Sequence, residues 1–323
     1  MTSRTCIAAA ALLATLVAAA PAQAQGYPSR PVRLVVGFPP GGSTDLAARA
    51  LAERLSQSLG QPVVVENKPG ASGNIAAGEI ARAAPDGHLL LLAATSFASA
   101  PAFSAQLGWD PLKDFTPVGL VGTVPIVAVV AQNVPARTPQ ELIAHSRANP
   151  GRMNLASPGA QTLTRLSGEM FKQSAKLDWV TVHYKGGALA MQDLLGGNVQ
   201  VMFASISEVI GHVKAGRLHA IALTTAKRSA LLPELPTFAE SGYPDFTFAA
   251  WQAVVGPAGM PREVVERLNR DIVRAMSANE MKERFLAMGT DAATSTPAEL
   301  GRFIADEVAK IRRIAESLGE KPK

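Results

Sequence analysis

The feature that most constrains this chain is a recurring order of short apolar run, glycine-rich loop and amphipathic stretch. It begins at Val32-Arg33-Leu34-Val35-Val36-Gly37, which reads as a strand, and continues into a segment with Leu46, Ala50, Leu51, Leu55 and Leu59 at helical spacing. Pro62 to Glu66 and His88 to Ala93 read as further strands, with a small-residue helix around Ile75 to Ala83 between them. Apolar strands separated by helices need cover on both faces, which predicts an α/β fold with a mostly parallel sheet.

A second series follows, with strands predicted at Pro125 to Ala131, Met153 to Ala156, Trp179 to His183, Val199 to Ala204 and Leu218 to Thr224. Thr138-Pro139-Gln140-Glu141 is a strong helix start, because Thr caps, Pro suits the first turn and Glu completes a capping box. Thr296-Pro297-Ala298-Glu299 repeats it before a last helix running to about Leu318. Between these lie a strand from Phe248 to Val255 and a helix from about Pro261 to Met276. If the chain leaves the first sheet near Val124 and returns near Trp251, two segments cross between two lobes, and both C-terminal helices pack on the first. The predicted division is lobe 1 at 25–124 and 248–323, and lobe 2 at 125–247. Two crossings permit a hinge and a cleft suited to closing on a small ligand.

Residues 1–24 are a separate object. Arg4 precedes an apolar run from Ile7 to Ala20, and Ala22-Gln23-Ala24 has the pattern of a cleavage site. This predicts a secretory signal cut near Ala24 and export to the periplasm, since the run falls short of the roughly 20 residues that span a bilayer. The single cysteine, Cys6, lies ahead of the apolar core, so the mature chain is expected to hold no disulfide and no Cys-based metal site. With 47% hydrophobic residues the chain can bury a sizeable core, and the formal charge of +5 is spread without a Lys/Arg block. No nucleic-acid footprint is predicted.

The most informative local sequence is Gly37-Phe38-Pro39-Pro40-Gly41-Gly42-Ser43-Thr44-Asp45, between a strand and a helix. First-turn amides have no intrahelical partner and the helix dipole favours negative charge, so the loop is a ready anion site. It equally reads as a tight turn with a helix cap. It approaches a phosphate-binding loop but has no Lys before Ser43. The construction recurs at Ala156-Ser157-Pro158-Gly159-Ala160-Gln161-Thr162 and at Tyr184-Lys185-Gly186-Gly187, while Thr95-Ser96-Phe97-Ala98 follows another strand and offers hydroxyls. Loops of this kind gather at the carboxyl ends of strands, where open α/β sheets bind ligands. Lys185 is either a ligand-facing cation or a solvated loop residue. The five histidines show no metal-binding spacing, and there is no G-x-S-x-G elbow. Neither a cofactor nor a metal is predicted. A hydrolase using a Ser/His pair assembled in space is the alternative reading.

At these residues the chain resembles the Bug family, the TctC-like extracytoplasmic receptors of tripartite tricarboxylate transporters. The resemblance rests on Pro28 to Arg33, on Phe38 to Gly42 with Asp45 and Arg49, on Val65 to Ala71, and on Pro85-Asp86-Gly87. It continues through Tyr184 to Gly187, Asp193 to Gly197 and Leu235 to Pro244. It implies a monomeric periplasmic receptor of the two-lobed Venus flytrap type that binds a small carboxylate-type solute and delivers it to a membrane permease or signals to a sensor partner. Carried over residue by residue, it puts Phe38, Gly41, Gly42 and Asp45 on one side of the cleft. Ser157, Gly159, Thr162, Gly186 and Gly187 fall on the other, with Thr95 and Ser96 near the hinge. Ser205 stands where many relatives have an acidic or amide residue, so ligand choice is left open there.

Overall fold

The computed structural model describes residues 26–159, 162–184, 186–320 and 322. The predicted signal, Cys6, Ala160, Gln161 and Lys185 lie outside the described residues. The first half of the chain runs β1 (Val32–Val36), α1 (Ser43–Leu59), β2 (Val63–Asn67), α2 (Asn74–Ala81), β3 (Leu89–Ala94), α3 (Ser96–Phe103), β4 (Phe115–Ala131), α4 (Pro139–Ala148) and β5 (Asn154–Ser157). It continues through α5 (Leu163–Ser174), β6 (Val180–His183), α6 (Gly187–Leu195), β7 (Val201–Ser205), α7 (Ile206–Lys214) and β8 (Leu218–Leu223). The last part is β9 (Ala249–Pro257), α8 (Arg262–Ser277), α9 (Asn279–Ala287), β10 (Asp291–Ala292) and α10 (Pro297–Ser317).

Local chemistry explains the boundaries. Helix α1 buries Ala47, Ala48, Leu51, Ala52, Leu55 and Leu59, and Gly60 ends it in the left-handed conformation, its N–H bonded to Ser56 O. Both predicted Thr caps form, but at Thr138 the Glu141 carboxylate accepts from Arg137 N at 2.7 Å instead of closing the predicted capping box. Thr138 accepts from Glu141 N, and at α10 the Thr296 hydroxyl and Glu299 carboxylate close a reciprocal capping box.

The strands join in the order β2-β1-β3-β9-β4-β7-β5-β6, with β8 and β10 also paired to β4. Pairing is parallel between β1 and its neighbours β2 and β3, and between β5 and its neighbours β6 and β7. Every pairing made by β4 or β9 is antiparallel. The sheet is therefore mixed, which corrects the expectation of a mostly parallel one: the returning strand runs against those it rejoins. Strand β4 also starts ten residues before the predicted Pro125. Its first half carries Pro117, Gly119 and Gly122, residues that weaken a strand signal, and its pairing with β9 shifts register between Pro117 and Gly119 and again between Leu120 and Gly122. A third C-terminal helix, α9, was not among the predicted two.

Two apolar clusters form the core. One packs α1, α8 and α9 on one face of β1 and β3, centred on Leu34, Leu51, Leu92, Leu268 and Phe285. The larger runs from Phe97 and Trp109 through β4 to Phe171, Phe203 and Phe238. Phe171 lies against Trp179, Phe203, Phe238 and Phe246 with ring centres 5.1–6.0 Å apart. Burying each such ring contributes about 1.5–3 kcal/mol.

Candidate functional site

Strand register shows where the candidate loops meet. Ala94, the last residue of β3, pairs with Gln252, which pairs with Gly122 of β4. From the other side Ser205, the last residue of β7, pairs with Ile126. The carboxyl ends of β1 and β3 and those of β5, β6 and β7 therefore converge on the middle of β4, between Gly122 and Ile126. Thr224 straps the crossing there: its N–H donates to Ile126 O at 2.9 Å, and Phe248 N donates to Thr224 O at 2.7 Å.

On the β1 side, Gly37 is required because a Cβ there would lie 2.6 Å from Gly73 Cα, so the loops at 37–45 and 70–74 touch through backbone. Asp45 is buried and saturated. Its Oδ2 accepts from Gly41 N at 2.9 Å and Arg49 Nε at 3.0 Å, and its Oδ1 accepts from Asn67 Nδ2 at 2.8 Å. Asn67 Nδ2 also donates to Phe38 O at 3.1 Å. Burial alone would raise the Asp45 carboxyl, but these hydrogen bonds outweigh it and hold it below the usual range. The result is a loop tied back to the helix it opens and ending at Gly42, an N-cap without a side-chain hydrogen bond, so the first-turn amides of α1 have no side-chain acceptor among the described residues. Between this loop and residues 72–74 lies a narrow recess, floored by Leu91 to Ala94 and backed by Phe97 and Trp109, stacked 5.1 Å apart. Ser96 lines it; Thr95 is buried, its hydroxyl accepting from Trp251 N at 2.9 Å.

On the other side of this meeting point, Gly159 O accepts from the Thr162 hydroxyl at 2.9 Å, and that hydroxyl caps α5. Gly186 (φ 127°) opens α6 without a side-chain cap, with Gly187 as its first residue, and Ser205 opens α7 likewise. Tyr184 donates to Asp193 Oδ2 at 2.7 Å; burial and that bond push its hydroxyl up to about 12, so it stays protonated at neutral pH. Asp45, Thr95 and Ser157 thus lie beneath the surface as supports, while Gly42, Ser96, Gly186, Gly187 and Ser205 stand nearer the opening. The sequence reading singled out neither Gly37 nor Asn67 as site residues, nor Glu208 in the first turn of α7; each is exposed as relevant by spatial neighbours, not by its own motif.

The family model described as tripartite tricarboxylate transporter family receptor matches residues 47–320. The chain belongs to this family. BugT of Bordetella pertussis is 38% identical over 313 residues, covering 96% of both chains. Among solved structures, the periplasmic binding protein BugD is 34% identical with a TM-score of 0.75, over 92% of this chain and 100% of that one. Rpa4515 of R. palustris, solved with adipate, is 32% identical with a TM-score of 0.79, again over 92% and 100%. The fold is the two-lobed one of periplasmic binding proteins.

Members of the receptor family are extracytoplasmic solute-binding proteins, not enzymes. A Ser/His pair does occur in this receptor: His183 Nδ1 lies 3.3 Å from Ser157 Oγ. Yet Ser157 is 0% exposed, so no substrate carbonyl reaches its hydroxyl, and among the described residues no carboxylate bonds to the imidazole. The hydrolase alternative has no support in this geometry. No helix among the described residues is long and apolar enough to cross a membrane.

Proposed function

We propose that the chain is a periplasmic receptor that captures a small carboxylate in the cleft at the middle of β4. The observation that carries this is the convergence of strand ends on Gly122 to Ile126, which brings helix starts without side-chain caps from both halves toward one place. Such amides suit an anion, and Rpa4515 is a relative solved with a dicarboxylate.

In this reading the amides at Gly42 and the start of α1 hold the carboxylate from lobe 1, with Phe38 and Ser96 beside it. Those at Gly159, Gly186, Gly187 and Ser205 approach from lobe 2. Asp45, Gly41, Thr95, Ser157 and Thr162 hold the loops in shape. Lobe 1 comprises 25–124 and 248–323, and lobe 2 comprises 125–247. Donors from both lobes meet one carboxylate only when the lobes close, so the ligand stabilises the closed state by its extra contacts there. The protein acts as a monomer after removal of a signal ending near Ala24, and a permease or sensor reads the closed form.

Native mass spectrometry of the exported protein, before and after gentle denaturation, tests this. A released small acid that raises the melting temperature when returned supports the reading. Ester turnover without any stabilising acid overturns it.

A further inference from the structure

The two halves of the chain also meet away from the crossing strands. Helix α10 packs on α3 and β4: a Cβ on Gly301 would lie 3.5 Å from Pro117 Cγ, and Phe303 meets Trp251 with ring centres 5.6 Å apart. Its last turn reaches α5, which the proposed division assigns to lobe 2. There Gln173 Nε2 donates to Ser317 O at 3.1 Å, and the Ser317 hydroxyl lies 3.7 Å from Met170 Sδ.

The local sequence sets up a second contact. Gly319 takes the left-handed conformation (φ 71°), its N–H donates to Glu316 O at 3.0 Å, and Glu320 N donates to Ala315 O at 2.9 Å. These are the two bonds of a Schellman end, which folds the chain back and fixes Glu320 to the helix. Glu320 Oε1 lies 2.9 Å from Arg165 Nη2. Arg165 belongs to the first turn of α5, where its own N–H donates to the capping Thr162 hydroxyl at 3.3 Å. Its side chain is buried at 5% exposure, its Nε has no hydrogen-bond partner, and among the described residues Glu320 is the one carboxylate in ion-pair contact with it. Parting such a pair strands a buried charge. Because the carboxylate comes from the other half of the chain, any change of lobe angle that draws α10 from α5 carries that cost.

We propose that Glu320 and Arg165 form a clasp between the lobes that narrows the range of angles they adopt before a solute arrives. This rests on the lobe division and the closing receptor stated above. A solute that meets lobes already held together loses less freedom on closing than one that must order freely swinging ones, so the clasp raises affinity without touching the solute. Glu320 and Arg165 are positioning residues, acting through the angle between the lobes.

Distances between the lobes test it. The single cysteine, Cys6, lies in the predicted signal, so in the exported protein spin labels attach at Gln57→Cys on α1 and Ala144→Cys on α4, both exposed positions. Without solute, double electron–electron resonance should give a narrow distribution. Glu320→Lys sets like charge against Arg165 and should widen it, and adding Arg165→Glu reverses the pair and should narrow it again. Glu266→Lys, which breaks the exposed Arg262–Glu266 pair within α8, should change nothing. With adipate as the probe, Glu320→Lys should weaken calorimetric binding by at least about fivefold, with recovery in the reversed pair. A wild-type distribution in folded Glu320→Lys, or no recovery in a folded reversed pair, overturns the clasp. So does a widening that leaves adipate affinity at its wild-type value. Since the distances are read without solute, a wild type that binds no adipate leaves the clasp decided by them and counts against the receptor reading alone.

Discussion

Gly41 donates its N–H to Asp45 Oδ2 at 2.9 Å, so the loop and the helix it opens form a single hydrogen-bonded unit. Asp45→Ala leaves Gly41 N, Asn67 Nδ2 and Arg49 Nε without that carboxylate. The expected loss is about 1–3 kcal/mol in urea unfolding, with carboxylate affinity down at least tenfold because the amides of α1 are no longer held in place. Wild-type values for both would show that the loop holds its shape without Asp45.

Two carboxyls respond to pH with opposite sign. Asp45 is depressed in the folded state, so its contribution is full above the ordinary carboxylate pKa of about 4 and is lost as pH falls through the lower folded value. Glu208 is raised, so it favours the folded state most below its unfolded pKa, and that advantage is lost as pH rises through the folded value. Glu208→Gln should melt above wild type at pH 7, with the gain shrinking toward pH 4. The stability deficit of Asp45→Ala should narrow below pH 4. Melting curves across this range read both, and parallel curves would contradict the assignments.

Gly289 (φ 74°) sits where a side chain would drive into Ser207. Gly289→Ala should push the start of α7 away from the turn before β10, enlarge the radius of gyration by X-ray scattering and weaken solute binding. Gly211, within α7, has nothing within 4 Å of its Cβ position. Gly211→Ala should instead stabilise by up to about 1 kcal/mol and leave binding alone. Equal behaviour of the two variants would mean that the Ser207–Gly289 contact does not constrain the start of α7.

At Gly37 an added methyl meets Gly73 backbone, which cannot rotate aside. Gly37→Ala should cost about 1–3 kcal/mol and distort the recess at Phe38 and Ser72. A melting temperature within a degree of wild type would mean that the two loops separate without cost.

Much of this was legible in the sequence because local and global signals agree. The strand-loop-helix order located β1 to β3 and β5 to β8 within a few residues, and Thr138 and Thr296 marked helix starts that form. The first half of β4 was hidden, because Pro117, Gly119 and Gly122 give no strand pattern and only pairing with β9 holds them extended. Glu208 was hidden for another reason. Nothing in Ser207-Glu208-Val209 shows that this turn of helix meets Gly187 and Gly289, residues brought there by the crossing of the chain.

The measurement closest to the central claim is calorimetric titration of wild type and Gly42→Val with succinate, glutarate, adipate and glutamate. A Cβ at Gly42 has just Pro39 O near it, at 3.8 Å, so a valine at this helix start is expected to fold normally, which its melting curve checks. One-to-one binding of at least one acid by wild type, lost in a folded Gly42→Val, is the predicted result. Equal affinity in the two proteins, or no binding by wild type, would contradict a carboxylate held at this loop.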